Sequence, residues 1–280
     1  MLAYGNNNQR RIMTNKYEVL SNRVVITLSG PERHSLLQGI ITNNTDKLAG
    51  NDAIYAALLT PQGKYLYDFF LFEIEDTIYL ECEKGSLPKL FQKLLMYRLR
   101  SNVEIIDQSE KYSVINSQEQ QQGISFIDPR NSEMGYRTYT EALPDGEEVT
   151  DYHKRRIKLG IAEGTYDYIQ EKSIILEGHF EDLNGVDFEK GCYVGQEVIA
   201  RMKYRGKIKK KMFPVKLSGE APTFGTEILN ADGNKIGDIR SSFDDRAIAL
   251  FRVDKMELNR QYQCGNIIVT PFKPDWVSDE

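Results

Sequence analysis

Cysteine is scarce in this chain of 280 residues, and the three present, Cys82, Cys192 and Cys264, are widely spaced and never form a C-x-x-C pair. An odd count in a chain of this size does not make a disulfide framework, and a reducing compartment fits it better. Nor are three dispersed thiols a good sole scaffold for an iron–sulfur cluster, which normally takes four thiolates. The three histidines, His34, His153 and His179, share no metal-ligand spacing with one another or with the cysteines, so no resident metal is expected. No G-x-G-x-x-G follows a strand, and no G-x-S-x-G occurs. Gly63-Lys64 and Gly206-Lys207 run on into Tyr65 and Ile208 instead of Ser or Thr. These absences leave a dehydrogenase, an NTPase and a serine or zinc hydrolase without support. Apolar runs such as Ala53–Thr60 and Phe69–Phe72 are far too short to span a membrane. Positive charge is not in excess either: 36 basic against 41 acidic side chains give a net −5, which argues against a nucleic-acid coat while leaving room for a local basic face.

What is present reads as two domains or more. Met1–Lys16 is polar and Asn-rich, lacks the hydrophobic stretch of a secretory signal, and is expected to be a disordered extension (residues 1–16). Val24–Leu28, Ala53–Thr60, Tyr65–Ile74, Thr77–Glu83, Val103–Asp107 and Tyr112–Ile115 read as strands. Glu32–Ile41 and Ser86–Arg100 read as helices, and a basic helix runs from a Thr150 cap to a stop at Gly160. Short turns between strands make this an α+β pattern with antiparallel hairpins over residues 17–203. From 204 to 280 the texture changes to short strands, Lys207–Leu217, Glu227–Asn230, Lys235–Ser241, Ala247–Val253 and Ile267–Thr270, with a hairpin at Asp232-Gly233-Asn234. That tail should be a small β-barrel or sandwich.

The densest chemical signal is Phe188-Glu189-Lys190-Gly191-Cys192-Tyr193-Val194-Gly195-Gln196-Glu197. Two glycines flank the cysteine, a lysine precedes it by two residues, and Gln196–Tyr204 reads as a helix beginning just beyond it. Lysine and helix dipole both favour a thiolate, which makes Cys192 the candidate reactive cysteine. The same spacing equally suits an inert cysteine buried in a tight turn.

The run from Lys190 to Gly206, KGCYVGQEVIARMKYRG, closely resembles the signature of the YgfZ-type folate-binding family. Those proteins are relatives of the glycine-cleavage T-protein (aminomethyltransferase) and are associated with maintenance of iron–sulfur enzymes. Leu36-Leu37-Gln38-Gly39 with Thr42-Asn43, Leu58–Lys64 with Asp68, Asp128-Pro129-Arg130, Gly135-Tyr136-Arg137 and Leu159-Gly160-Ile161 follow in the family's order, over about residues 20 to 215. The resemblance implies a T-protein-like cloverleaf of antiparallel-sheet lobes, interleaving of two of them in sequence, and a C-terminal β-barrel. It also implies tetrahydrofolate, or a one-carbon derivative, in a central cavity. Glu177 would accept the amino group and ring N–H of the pterin edge. Arg137 and Arg130 would meet the anionic tail, with structural ion pairing as an equal alternative. Lys190, Gly191, Tyr193, Gly195, Gln196 and Glu197 would complete the cofactor seat. Where T-protein-type enzymes carry paired aspartates, this chain has Tyr67-Asp68, so a single carboxylate is left for aminomethyl transfer.

Three functions compete on this reading. The first is a folate-binding accessory protein that assembles or repairs iron–sulfur clusters, with client or assembly proteins as partners and Cys192 as its working group. The second is a folate-dependent aminomethyltransferase using Asp68. The third is a tRNA-binding or tRNA-modification factor, since Arg201, Lys203, Arg205, Lys207, Lys209, Lys210 and Lys211 place seven cations in eleven residues. The compartment is the cytoplasm for a bacterial chain and the mitochondrial matrix for a eukaryotic one.

Overall fold

The computed structural model describes residues 15–50, 52–206 and 208–278. The expected disordered extension lies outside them for residues 1–14; the last two residues assigned to it are described, and Lys16 opens the first strand. The N-terminal half contains β1 (Lys16–Val19), β2 (Arg23–Ser29), α1 (Arg33–Gln38), β3 (Ile54–Leu59), β4 (Tyr65–Ile74), β5 (Thr77–Glu83), α2 (Leu87–Arg98) and β6 (Glu104–Asp107). There follow β7 (Ser113–Ser117), β8 (Ile124–Ile127), β9 (Tyr136–Thr140), β10 (Glu147–Glu148), α3 (Tyr152–Leu159), α4 (Gly164–Asp167) and α5 (Gln196–Tyr204). The tail is β11 (Lys210–Leu217), β12 (Glu227–Leu229), β13 (Lys235–Phe243), β14 (Arg246–Arg252), β15 (Tyr262–Cys264) and β16 (Ile267–Pro271).

Three sheets result. The first runs β3-β4-β5-β2-β6 and is antiparallel throughout. The second runs β10-β1-β7-β9-β8 and borrows its strand β1 from ahead of the first, so the two lobes interleave; its β1–β10 pair is parallel. The third is a closed barrel, β11-β14-β13-β12-β15-β16, which removes every free edge. Cys264 lies in barrel strand β15 and is buried. The helix expected to start at a Thr150 cap begins at Tyr152 behind Asp151, and Gly160 ends it in the left-handed region at φ 75°.

The two-residue period of the first sheet decides which side chains reach the middle of the molecule. Val24, Ile26, Phe69, Leu71, Leu80 and Cys82 face α1 and α2, forming one core. Their alternates Val25, Phe70 and Phe72 face the other way, into a core shared with the second sheet and the barrel face bearing Met212 and Ile248. Arg23, Asp68 and Glu81 occupy the same central-facing register and are buried there. The charged chemistry of the fold therefore converges where the three sheets meet.

Candidate functional site

The junction is filled by a closed ionic network. Arg23 donates from Nε to Glu81 at 2.6 Å, and Arg137 donates Nε to the other Glu81 oxygen at 2.9 Å, where Tyr139 also donates at 2.6 Å. Arg137 reaches Asp128 at 3.2 Å, and Arg130 pairs with Asp128 at 2.7 Å and with Glu163 at 2.5 Å. Three arginines thus balance three carboxylates, all buried. Burial alone would push the Glu81 carboxyl up; Arg137 and Arg23 outweigh it and bring it down to about 2. Glu163 is depressed likewise, by Arg130 first, against the same cost of burial. Sequence reasoning missed Glu81 and Glu163; the available signal was Glu81 and Arg23, charges set inside otherwise apolar strands.

This packing corrects several expectations. Arg137 is not open to an anionic tail, because its guanidinium is committed to Glu81, Asp128 and the Tyr152 hydroxyl; Arg130 is bonded to Asp128, Glu163 and Tyr152 as well, although it lines the cleft between the lobes. Asp68 is sealed: Tyr55 and Tyr65 each donate a hydroxyl to it at 2.7 Å, and only 3% of the residue is exposed. Lys190 is turned away from the cysteine. Its ammonium donates to the carbonyls of Gln38, Ile41 and Asn43 at 3.0, 2.8 and 2.7 Å, closing the end of α1, and burial pulls its pKa down to about 8. Glu177 caps its own turn, accepting from the Ile174 amide at 3.1 Å. Burial raises its pKa, opposed by the fields of Lys210, Lys64 and Arg240.

The Cys192 loop is fixed at both ends. On one side stands the Lys190 clamp, with Tyr193 under its ammonium at 5.1 Å from the ring centroid. The Tyr193 hydroxyl is buried and lacks a hydrogen-bond partner among the described residues. On the other side Gly195, at φ 87°, lies so close to the Thr60 carbonyl that a Cβ would sit 2.7 Å from it. Gly63, at φ 71°, approaches Val198 as tightly. Gly191 has open space around it, and nothing in the structure demands glycine there. Between these anchors Cys192 is exposed, whereas Cys82 and Cys264 are sealed and burial pushes their thiols up to about 12 and about 11. The signature folds to present one thiol, and the reading of Cys192 as a buried turn residue fails. Gln196 opens α5, and the exposed Glu197 pairs with Arg201 at 2.5 Å.

Two hollows flank this region. A cleft of about 880 Å³ lies between the lobes, lined by Asn43, Tyr55, Phe126, Asp128, Arg130 and Asn184 among others. A groove of about 530 Å³ runs beneath the end of α5, over Leu176, Phe180, Met202, Ile208 and Val253, with Lys203 at its rim. Of the residues expected to meet a folate, Arg130 lines the cleft between the lobes, while Glu177, Arg137, Lys190, Gly191, Tyr193, Gly195, Gln196 and Glu197 line neither hollow. Among the described residues no group of three or more His, Cys, Asp or Glu side chains is placed to hold a metal ion, and no helix is long and apolar enough to cross a membrane.

Comparison with known proteins adds kinship to this geometry. Residues 209–279 match the family model for the C-terminal β-barrel domain of CAF17. The chain is 30% identical over 301 residues to the mitochondrial iron–sulfur cluster assembly factor IBA57 of Mus musculus, covering 92% of this chain and 84% of the relative. Its counterpart in Homo sapiens is 29% identical over 298 residues with the same coverage. The IBA57 homolog of Mycosarcoma maydis is 31% identical over 240 residues, 74% of this chain and 59% of the relative. Among solved structures, the glycine cleavage system aminomethyltransferase T of Bartonella henselae superposes with a TM-score of 0.76 at 14% identity, covering 94% of this chain and 86% of that one. At that identity the likeness establishes the T-protein-like fold and nothing about activity.

Proposed function

The chain belongs to the IBA57 family of iron–sulfur cluster assembly factors, and from that premise we propose that it assembles or repairs iron–sulfur clusters in client enzymes, with Cys192 as the point of transfer. The observation that carries this reading is a single reachable thiol held on a doubly anchored loop. Clusters take about four thiolate ligands, so one cysteine is not a scaffold. It is suited to take one ligand position on a cluster whose other ligands belong to a partner. The cluster is cargo, and partner and factor hold it together during hand-over. Family names that read mitochondrial favour the matrix over a bacterial cytoplasm, and both would keep an exposed thiol reduced.

Tetrahydrofolate, which the fold resemblance implies, does not find its expected seat. The arginines are spent on carboxylates, Lys190 on backbone carbonyls, and Glu177 opens onto neither hollow. The proposal therefore contains no folate step. Aminomethyl transfer by Asp68 loses its basis for a related reason, since a carboxylate already bonded to two tyrosines has little capacity left to polarise a substrate. The RNA reading weakens too, because Arg201 and Lys203 are paired with Glu197 and Glu181.

The test is replacement in cells that lack their own such factor. Wild type and a Cys264→Ser chain should restore the activity of iron–sulfur client enzymes, and Cys192→Ala should not. Full restoration by Cys192→Ala would remove the thiol from the function.

A further inference from the structure

The longest helix among the described residues, α2, carries a charge pattern that the assembly reading does not use. Residues 84–103 hold five cations, Lys84, Lys89, Lys93, Arg98 and Arg100, and no carboxylate, in a chain whose net charge is −5. None of the five forms an ion pair among the described residues; Lys93 lies over the Tyr97 ring and Arg98 donates to the Val103 carbonyl. The carboxylates that border the stretch are engaged or turned away. Glu83 accepts from the Thr165 hydroxyl at 2.7 Å, Glu32 from the Asn102 amide at 2.6 Å and Asp107 from the Ser109 amide at 2.9 Å. Glu104 alternates with Ile105, which packs in the core beneath α2, and so lies on the opposite face of its strand.

Burial fixes which side of α2 looks outward. Leu90 and Leu94 are sealed against the first sheet, with Leu87, Phe91 and Leu95 partly covered beside them. On the opposite side Pro88, Lys89, Gln92 and Met96 are exposed, and the stripe runs on into Leu99 and Arg100 past the helix end. Met96 is 55% exposed and Leu99 82%. Leu99 also sits at φ 47°, ψ −107°, a backbone conformation open to glycine and strained for leucine. Neither the cleft nor the groove is lined by any residue of α2, so these apolar side chains protrude and face no hollow of their own chain.

We propose that the outward side of α2, from Lys84 to Arg100, docks on an anionic lipid surface, with Met96 and Leu99 entering the headgroup layer beside the five cations. A lipid surface fits better than a folded partner. Protruding apolar side chains need a matching pocket in a protein and none in a fluid headgroup layer, and a helix of this length lying flat offers about 18 Å of contact. Attachment of this kind needs no spanning helix, and the described residues have none. The inference is independent of Cys192.

The probe is a pair of vesicles, phosphatidylcholine alone and phosphatidylcholine with about 30% phosphatidylglycerol, pelleted with the full chain. At low ionic strength wild type should pellet with the anionic vesicles and stay in solution with the neutral ones. Each cation near an anionic surface is worth about fivefold, so Lys89→Gln, Arg100→Gln should bind roughly 30-fold more weakly. Met96→Ser, Leu99→Gly should bind roughly tenfold more weakly. Both double variants should keep the wild-type urea midpoint, which separates lost contact from lost fold. Arg205→Gln, Lys209→Gln, in the other basic run, should bind as wild type does. Pelleting no greater with anionic than with neutral vesicles overturns the proposal, as does loss of binding in the Arg205, Lys209 variant alone. So does wild-type affinity in Met96→Ser, Leu99→Gly, which would make the face a general polyanion patch for an acidic protein or RNA.

Discussion

At the scale of single residues, the account turns on which charged groups are spent and which are open. Glu81 holds two arginines and a tyrosine in a buried setting, so Glu81→Gln should cost about 3–5 kcal/mol, the range for breaking one side of a buried pair. A urea titration would read it directly. Acid should do the same by degrees. The folded-state pKa of Glu81 is lowered to about 2 from an unfolded value of about 4.3, so the unfolded chain binds more protons in that window. The contribution is whole above about pH 5 and declines as pH falls toward 2. Urea midpoints at pH 7, 4 and 3 should fall in that order, and Glu81→Gln should flatten the trend. Lys190→Met should also destabilise, by about 2–5 kcal/mol, because three carbonyls lose their donor. Its Cys192 should still react with a small alkylating reagent. The Cys192 loop was legible from the sequence, since two glycines and a following helix marked it; the exposure of its thiol was not, because the same spacing suits a buried turn. The fate of Arg137 and Lys190 was not: sequence shows a cation near a motif, and only tertiary register shows which acceptor claims it.

At the scale of elements, the strongest patterns translated directly. The aromatic run Tyr65–Ile74, the strand Thr77–Glu83 and the helix Gln196–Tyr204 have the bounds their patterning indicated, because continuous burial or an amphipathic period fixes them locally. Ile124–Ile127, Tyr136–Thr140 and Tyr262–Cys264 went unread as strands, being three to five residues long and stabilised by partners distant in sequence. The expected start of the first barrel strand at Lys207 came three residues early relative to Lys210. The turn between β3 and β4 has a structural role that its sequence only hinted at: Thr60 and Gly63 form the platform on which Gly195 and Val198 rest. Gly195→Ala would place a methyl group 2.7 Å from the Thr60 carbonyl in a left-handed backbone. The expected cost is about 1–3 kcal/mol, with faster proteolysis near Cys192 as the local signature.

At the scale of the whole molecule, a T-protein-like cloverleaf has had its middle taken over by ion pairs and aromatic rings. Tyr55 packs at a tilt against Phe180 at 4.5 Å between centroids and Tyr65 stacks on Tyr168 at 4.8 Å, next to the arginine–carboxylate network. A calorimetric titration with tetrahydrofolate should accordingly give no saturable heat, and a heat abolished by Glu177→Ala would restore a folate role. Beside this network the cleft between the lobes stays open, and the signature loop holds a single exposed thiol at the surface. The most direct measurement mixes the purified chain with a cluster-loaded assembly protein and an apo client enzyme, and follows client activity and the visible cluster absorbance. The wild-type chain and Cys82→Ser or Cys264→Ser chains that remain folded should accelerate cluster delivery, and Cys192→Ala should fall to the rate seen with no factor added. Delivery by Cys192→Ala at the wild-type rate would contradict the account.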